Sequence, residues 1–541
     1  MTVWNYGILL KGIAEKDPNR LAQVFGDRRY TWGEFHGRAN ALAADMLAAG
    51  MTHQAKVAHY MYNCPEYLEG TLGSWLGGFV PFNVNYRYGP DEVHYLFENA
   101  DAEAVIFHGA FADLIDKVRG RLPLVRRFYM VPDAENSVVP EWAVNYDDIV
   151  AEPKPAVTPA KPLSGDDLLF LYTGGTTGMP KGVMWRQEDL FAVLGFGANA
   201  LFGVAPGGSV EELIERVNPE WPNLKAYVAC PLMHGTGLFS SFIGLATAGA
   251  VVTNPNRSFS ASELLDIVER EKVNSIVIVG QAFAGPILET LDANPGKWDL
   301  SSVFQMGSSG VMWSQENKNG LLEHIPQMAI TDSFGSSEAV GMGASVAVKG
   351  AAPTTAKFQL GPNCVVFKED GTRVAPGSGE RGLVAVGGAI PLGYYKDEKK
   401  TAETFRQFEG RRWTVPGDWA EVNEDGTLTL LGRGSVCINT GGEKVFPEEV
   451  EECLKTHASV RDAVAVGIPD SRFGETICAV VEAEPGQTPD FDELNGHVKS
   501  KLAAYKAPRN LVVVPTIGRA PNGKVDYKRL KQHAMDTLGV K

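Results

Sequence analysis

Hydrophobic positions along the chain fall into short blocks, some with the period of a helix and others with the run length of a buried strand. After Tyr30-Thr-Trp-Gly-Glu-Phe, the apolar Leu42, Ala43, Leu47 and Ala48 recur at helical spacing, which predicts a helix capped near Thr31 or Gly33. Lys56–Tyr62 and Ala104–His108 read as strands flanking another helical stretch, whereas Pro153–Pro162 is too proline-rich for either and reads as an extended connector. Beyond it Leu168–Tyr172 suits a buried strand, Val183–Trp185 a strand end and Gln187–Leu194 a helix. The alternation continues through Tyr227–Pro231, Leu238–Ala248, Ala250–Thr253, Ser260–Glu271 and Ser275–Val279. Alternating strands and helices predict an α/β fold of parallel sheets covered by helices, with ligands at the carboxyl ends of strands.

The pattern then changes twice. From Gly377 to Leu431 short strands such as Gly382–Val386 lie between glycine turns such as Asp425-Gly426, which predicts a small β-rich subdomain. After Arg433, helix Pro447–His457, strands Ala463–Ile468 and Ile477–Ala483, and helix Phe491–Leu502 make an α+β unit of about 100 residues. Gly432-Arg-Gly-Ser favours a flexible crossing. The expected organisation is a large body over 1–432 holding two parallel α/β subdomains and the β-rich one, a hinge at 433–437, and a small mobile domain over 438–541.

A length of 541 residues allows three or four domain-sized units. With 50 basic against 65 acidic residues the formal charge is −15, which argues against general affinity for nucleic acid or anionic membranes. An anionic ligand must therefore be drawn in by local lysines, arginines and backbone N–H groups. Six scattered cysteines (Cys64, Cys230, Cys364, Cys437, Cys453, Cys478) lack a Cys-x-x-Cys pair, so a disulfide or zinc framework is not expected. The start lacks a secretory pattern and no apolar run nears the ~20 residues of a membrane span, so a cytoplasmic protein without a membrane span is expected. Nothing in the sequence argues for or against a homo-oligomer.

Candidate chemistry concentrates in Tyr172-Thr-Gly-Gly-Thr-Thr-Gly-Met-Pro-Lys-Gly-Val183. Gly174, Gly175 and Gly178 let backbone N–H groups approach an anion, Thr173, Thr176 and Thr177 can donate hydroxyls, and Lys181 adds positive charge. Such a loop suits a triphosphate. Gly-x-x-x-x-Gly-Lys-Ser/Thr fails here because Lys181 follows Pro180. The partial match Gly518–Val525 ends in valine and so has no hydroxyl for magnesium.

Residues 172–183 resemble the signature loop of the adenylate-forming superfamily, which includes acyl-CoA synthetases, peptide-synthetase adenylation domains and luciferases. Further segments match in order over roughly Arg29 to Lys528. They are Pro231-Leu-Met-His-Gly-Thr-Gly237, Gly307-Ser-Ser-Gly310, Asp332-Ser-Phe-Gly-Ser-Ser-Glu338, Trp413-Thr-Val-Pro-Gly-Asp418, Gly432-Arg433, Gly441-Gly-Glu-Lys444 and Pro521-Asn-Gly-Lys524. The phosphate loop, Arg433–Lys444 and Pro391-Leu-Gly-Tyr-Tyr-Lys-Asp-Glu-Lys-Lys400 look like bacterial fatty-acyl and steroid side-chain CoA synthetases.

The resemblance implies an ATP-dependent acid–thiol ligase that uses Mg2+ and coenzyme A. It would convert a small-molecule carboxylic acid to acyl-AMP, release pyrophosphate, and pass the acyl group to CoA. Such activation makes chemical sense, because a carboxylate is a poor electrophile with oxide as its leaving group, and joining it to AMP supplies a better one. By the same resemblance Glu338, with Thr176, would hold magnesium. Ser337 would contact the α-phosphate where most of the family has threonine, and Phe334 would face adenine where tyrosine is usual. Asp332, Ser309, Gly310, Gly335 and Ser336 would line the nucleotide site, Asp418 would accept the ribose hydroxyls, and Arg433 would support ribose and phosphate. Lys524, Glu338, His234 and Thr177 form the implied catalytic set, with Lys524 contacting α-phosphate and substrate carboxylate. Taken alone, Asp418 also fits a turn aspartate, Glu338 a surface acid, His234 a core histidine and Lys524 a turn lysine.

Gly441 and Gly442, with Glu443 and Lys444, leave room for a pantetheine arm and suit thiol delivery. One site cannot be lined by this segment and by Lys524 together, so the small unit should rotate between half-reactions. At the hinge the family usually has charged residues; this chain has Ser435-Val436, which leaves Ser435 as a positional assignment. The acyl-pocket candidates Met233, His234, Leu238, Phe283, Gly307, Gly341, Met342 and Gly343 are mostly apolar or small, favouring a medium-to-long or polycyclic acid over acetate. A carrier-protein ligase and a non-catalytic nucleotide-binding protein are the alternatives; a kinase or ATPase would yield ADP rather than AMP.

Overall fold

The structure, a computed structural model, describes residues 2–540 apart from 153, 155, 174–178, 223, 311–312, 351–356, 434–437, 441–442, 471–473, 503 and 521–522; the side chains of 201, 433, 439, 443, 444 and 474 are also left out. One sheet has eight strands in the order Gly393–Tyr394, Lys181–Arg186, Leu168–Thr173, Val80–Asn83, Lys56–Tyr60, Ala102–His108, Arg127–Val131 and Val144–Asn145. From Leu168–Thr173 to Val144–Asn145 all pairings are parallel. Between the two strands expected at 56 and 104 the chain adds helices Pro65–Leu76 and Pro90–Asn99 and strand Val80–Asn83. Thr31 caps helix Trp32–Ala48 in a reciprocal box with Glu34, as the sequence predicts.

A second, fifteen-stranded sheet opens on the antiparallel edge strand Arg28–Thr31 and continues as a parallel block of Leu21–Phe25, Ala250–Thr253, Lys225–Val228, Ser275–Ile278, Gln305–Ser309 and Ala329–Ser336. It turns antiparallel at Ala339–Ala347 and runs on through Lys357–Leu360 into Leu428–Arg433, Asp418–Val422 and Arg381–Val386. The β-rich region expected over 377–431 is thus a continuation of this sheet, because Lys357–Leu360 pairs on both sides. Its strand Gly393–Tyr394 leaves to pair with Lys181–Arg186 in the other sheet.

Helix Pro65–Leu76 lies between the two sheets, touching Leu21–Phe25 in one and Lys56–Tyr60 and Val80–Asn83 in the other, and every residue in it is buried. Its acids survive burial because they are paired: Glu66 with Arg28 at 2.6 Å, and Glu69 with Arg38 at 2.7 Å and the Tyr146 hydroxyl at 2.9 Å. Burial still pushes the Glu69 carboxyl up to about 7, against the opposing pull of Arg38.

The carboxyl-terminal unit has a five-stranded sheet centred on Val460–Asp470 and Gly474–Ala483. Ala463 and Ala465 face a core shared with helices Pro447–Lys455 and Phe491–Lys501, while Val464, Val466 and Ile468 face the core under helix Tyr527–Leu538. Burial on both faces explains the unbroken apolar run of that strand.

Candidate functional site

Four of the motif segments, those at Thr173, Pro231–Gly237, Gly307–Gly310 and Asp332–Glu338, lie at the carboxyl ends of parallel strands. Leu168–Thr173 and Lys181–Arg186 form an antiparallel hairpin that sets Thr173 opposite Lys181. Gly174, Gly175, Thr176, Thr177 and Gly178 lie outside the described residues. Buried Asn83 fixes the base of this loop: its Oδ1 accepts the Tyr172 N–H at 2.6 Å, and its Nδ2 donates to the carbonyls of Tyr172 at 2.9 Å and Met233 at 2.7 Å. Asn63 does the same for the neighbouring loop, donating to the Cys230 carbonyl at 2.9 Å and accepting the Leu232 N–H at 2.7 Å. Two amides thus hold the loop before His234, and Asn83 ties it to the phosphate-loop strand.

Lys181 is ion-paired with Asp397. Asp397 also caps helix Glu398–Thr404 by accepting the Lys400 N–H at 2.9 Å. The bond from Lys181 and then the one from Lys400 hold its carboxyl below the usual range. Three residues earlier, the Tyr394 hydroxyl donates to Glu338 Oε1 at 2.8 Å. One short segment therefore reaches both Lys181 and Glu338.

Glu338 sits in the turn between Ala329–Ser336 and Ala339–Ala347, and the Trp185 indole N–H donates to the Ser337 carbonyl at 2.9 Å, tying that turn to the phosphate-loop hairpin. The buried Ser336 hydroxyl has no partner among the described residues. Gly335 is needed here because a Cβ would lie 3.0 Å from the Ala339 carbonyl oxygen. Asp332 points its carboxylate at buried Lys318, 3.0 Å away, so its charge is taken up beneath the site; burial pushes its carboxyl up and Lys318 opposes this. Phe334 packs 5.6 Å from Phe358, and Ser309 ends its strand before Gly310 at φ +91°. Asp418 is buried (6% exposed) and opens the strand that pairs it with Arg433.

His234 precedes helix Gly235–Ala246 and is half-buried. Burial, then the positive charges of Lys524 and Arg87, push its imidazole down to about 3, so it is neutral near pH 7. Lys524 thus brings its charge to a residue 290 positions away. It ends a turn in which Ala520 N–H donates to the Lys524 carbonyl at 2.9 Å and Gly523 N–H to the Ala520 carbonyl at 2.7 Å. Arg519 anchors the turn by a bidentate pair to Asp462 at 2.6 and 2.8 Å.

Among the acyl candidates Met233, Leu238, Phe283 and Met342 are buried. A Cβ at Gly307 or Gly341 would meet nothing within 4 Å, whereas one at Gly343 would crowd the Gln359 carbonyl at 2.9 Å. Gly441, Gly442 and Ser435 lie outside the described residues; Glu443 and Lys444 open strand Glu443–Val445. A cavity of about 680 Å3 beside His53, Asp167 and Leu168 lies at the amino end of the phosphate-loop strand. That is ~17 Å along the strand from Thr173, away from the motif segments.

Asn63, Asn83, Lys318, Tyr394 and Asp397 were not singled out from sequence. Tyr394 and Asp397 stand in the Pro391–Lys400 segment, which had pointed only to a kind of synthetase; a tyrosine and an acid beside a glycine-bounded strand were the available signal.

Two parallel sheets, a glycine- and threonine-rich stretch between Thr173 and Lys181, and a carboxyl-terminal unit with its own sheet make up the fold of a ligase that works through an acyl-adenylate. The chain matches the AMP-binding enzyme family over residues 10–395 and the AMP-binding enzyme C-terminal domain over 449–524, and it belongs to that family. It is 40% identical over 521 residues to a medium/long-chain-fatty-acid–CoA/3-oxocholest-4-en-26-oate–CoA ligase of Mycolicibacterium smegmatis, covering 95% of this chain and 93% of the relative. A 3-oxocholest-4-en-26-oate–CoA ligase of Rhodococcus rhodochrous is 40% identical over 545 residues, covering 97% and 95%. In fold the chain is similar to the anthranilate CoA ligase AuaEII in complex with anthranoyl-AMP, with TM-score 0.83, 21% identity, and 100% and 99% of the two chains covered. No helix among the described residues is long and apolar enough to cross a membrane.

Proposed function

We propose that this ligase activates a medium- to long-chain fatty acid or a steroid side-chain acid, and that Lys524 is its adenylation lysine. The observation that carries the assignment is that the charge of Lys524, from a unit with its own sheet, acts on His234 in the body. In the first half-reaction a substrate carboxylate oxygen attacks the α-phosphorus of ATP, the bond to the bridging oxygen breaks, and pyrophosphate leaves. Lys524 neutralises the approaching carboxylate and the α-phosphate, and Ser336 and Ser337 supply hydroxyls beside them. Neutral His234 lines the entrance without capturing the carboxylate as an ion pair.

A magnesium ion held mainly by phosphates needs one or two protein carboxylates, and Glu338, oriented by the Tyr394 hydroxyl, fits that role. When bound, it offsets charge on the triphosphate. Asp418 accepts the ribose hydroxyls, and Phe334 presents an apolar face to adenine. The small domain, 438–541, then turns about 433–437 and brings Gly441–Lys444 to the site. The CoA thiolate attacks the acyl carbonyl and AMP leaves. The need for ATP and CoA supports a cytoplasmic setting.

Support for the acyl class comes from the open space at Gly307 and Gly341 and from the names of the relatives, a medium/long-chain-fatty-acid–CoA/3-oxocholest-4-en-26-oate–CoA ligase and a 3-oxocholest-4-en-26-oate–CoA ligase. The test is a panel of acids from acetate to C18 and steroid side-chain acids, assayed for AMP and acyl-CoA. Turnover confined to acetate, or ADP as product, refutes the reading. Lys524→Ala should lower acyl-AMP formation by ~10²- to 10³-fold, as expected for loss of one transition-state charge contact, while supplied acyl-AMP still reacts with CoA. Equal loss of both steps refutes the role given to Lys524.

A further inference from the structure

The ion pair between Lys181 and Asp397 has no place in the chemistry above, yet it occupies the lysine of the phosphate loop. The two side chains are 35% and 26% exposed, so the pair, at the strand end where Lys181 faces Thr173, is open to an anion from solvent. The partners differ in freedom. Asp397 is held by the Lys400 N–H and, through its carbonyl, by the Thr401 N–H at 3.0 Å and hydroxyl at 2.8 Å. Its segment is further pinned by Tyr395 N–H donating to the Gly182 carbonyl at 2.8 Å, and by strand pairing of Gly393 with Met184 and Tyr394 with Val183. Lys181 carries a flexible four-carbon stem and a point charge that can swing between acceptors.

We propose that Asp397 is the resident counter-charge of Lys181 and competes with pyrophosphate for its ammonium, so that this carboxylate sets how readily pyrophosphate leaves. The argument rests on the reading of residues 172–183 as the phosphate site. A leaving pyrophosphate must give up every cation that held it. A fixed carboxylate beside the lysine recaptures that cation at once and weakens the product's hold. Because the carboxylate is anchored and the lysine is not, exchange needs only the lysine stem to move. Tyr394, on the same segment, keeps Glu338 in place while this happens. Asp397 is thus a positioning residue, acting through Lys181.

Asp397→Asn removes the charge, while asparagine still accepts the Lys400 N–H and preserves the helix cap. Product inhibition by pyrophosphate would be measured during dodecanoate activation, and binding of magnesium pyrophosphate by calorimetry, in wild type, D397N, K181M and the double variant. Pyrophosphate should bind D397N roughly 2- to 5-fold more tightly, the range of a partly exposed ion pair. K181M should bind it more weakly, and adding D397N to K181M should change nothing further. Unchanged or weaker binding in D397N, or an equal gain in the K181M background, overturns the inference. An active wild type whose D397N is unaltered sinks this inference alone. A wild type that binds no pyrophosphate and forms no AMP removes the phosphate-site reading beneath it as well.

Discussion

Replacing Asn83 by alanine isolates the amide that joins the phosphate-loop strand to the acyl-side loop. The substitution leaves three buried backbone groups without their partner: the Tyr172 N–H, the Tyr172 carbonyl and the Met233 carbonyl, now bonded at 2.6, 2.9 and 2.7 Å. Each buried polar group left unmade costs about 1–3 kcal/mol, but carbonyls have a second lone pair and a water can enter the space vacated. Summed with that discount, the loss is about 3–5 kcal/mol, a large fraction of the 5–15 kcal/mol typical of a domain. Urea unfolding followed by tryptophan fluorescence would report it in the first transition, because a chain of several units does not unfold as one. Asn83→Asp should be no better than alanine, since a carboxylate cannot donate to the two carbonyls. Besides the stability loss, KM for both ATP and acid should rise, because one residue holds both loops. A loss below about 1 kcal/mol, or a rise in only one KM, refutes the account of Asn83 as the common anchor.

Tyr394→Phe should leave folding unchanged and raise the magnesium concentration needed for half-maximal adenylation by about 10- to 100-fold, the range for losing the partner that orients a metal-binding carboxylate; a magnesium titration checks it. Gly307→Leu should fill open space and shift the preferred acid toward shorter chains, read from kcat/KM across C6 to C18 acids. Acid should weaken the fold through His59. Burial holds its imidazole down to about 3, whereas the unfolded side chain titrates near ~6.5. The unfolded chain alone takes up this proton as pH falls from ~6.5 toward 3, so stability is full above ~6.5 and declines below it, by about 2 kcal/mol at pH 5. His59→Asn should flatten that part of the urea–pH profile, and an unchanged profile would count against the buried neutral imidazole.

The parallel sheets were legible because buried strands such as Leu168–Thr173 are continuous apolar runs and their helices carry caps, as at Thr31 and Ser260. The last helix, Tyr527–Leu538, escaped notice because it fully buries only Leu530 and Ala534, and seven of its twelve residues are charged or polar. The join between the β-rich region and the large sheet depends on the four-residue strand Lys357–Leu360, too short to announce which neighbours it bridges. At the site, the motifs pointed to candidate residues for a nucleotide. Their supports were hidden because the partners are remote: Lys181 and Asp397 are 216 positions apart, and Asn83 and Met233 150. One chain carries no signal of such pairings until it is folded.

The layer formed by helix Pro65–Leu76 bears on how the protein can be dissected. Both neighbouring sheets use it as their inner lining, so neither half of the large body owns a complete interior. Fragments divided near residue 160 would each present a wide oily face to solvent and aggregate. A cut beyond Arg433, by contrast, leaves that lining covered on both sides. Reagents that report motion, such as paired fluorophores, should accordingly be split between the body and the last hundred residues, with an all-body pair serving as the still reference.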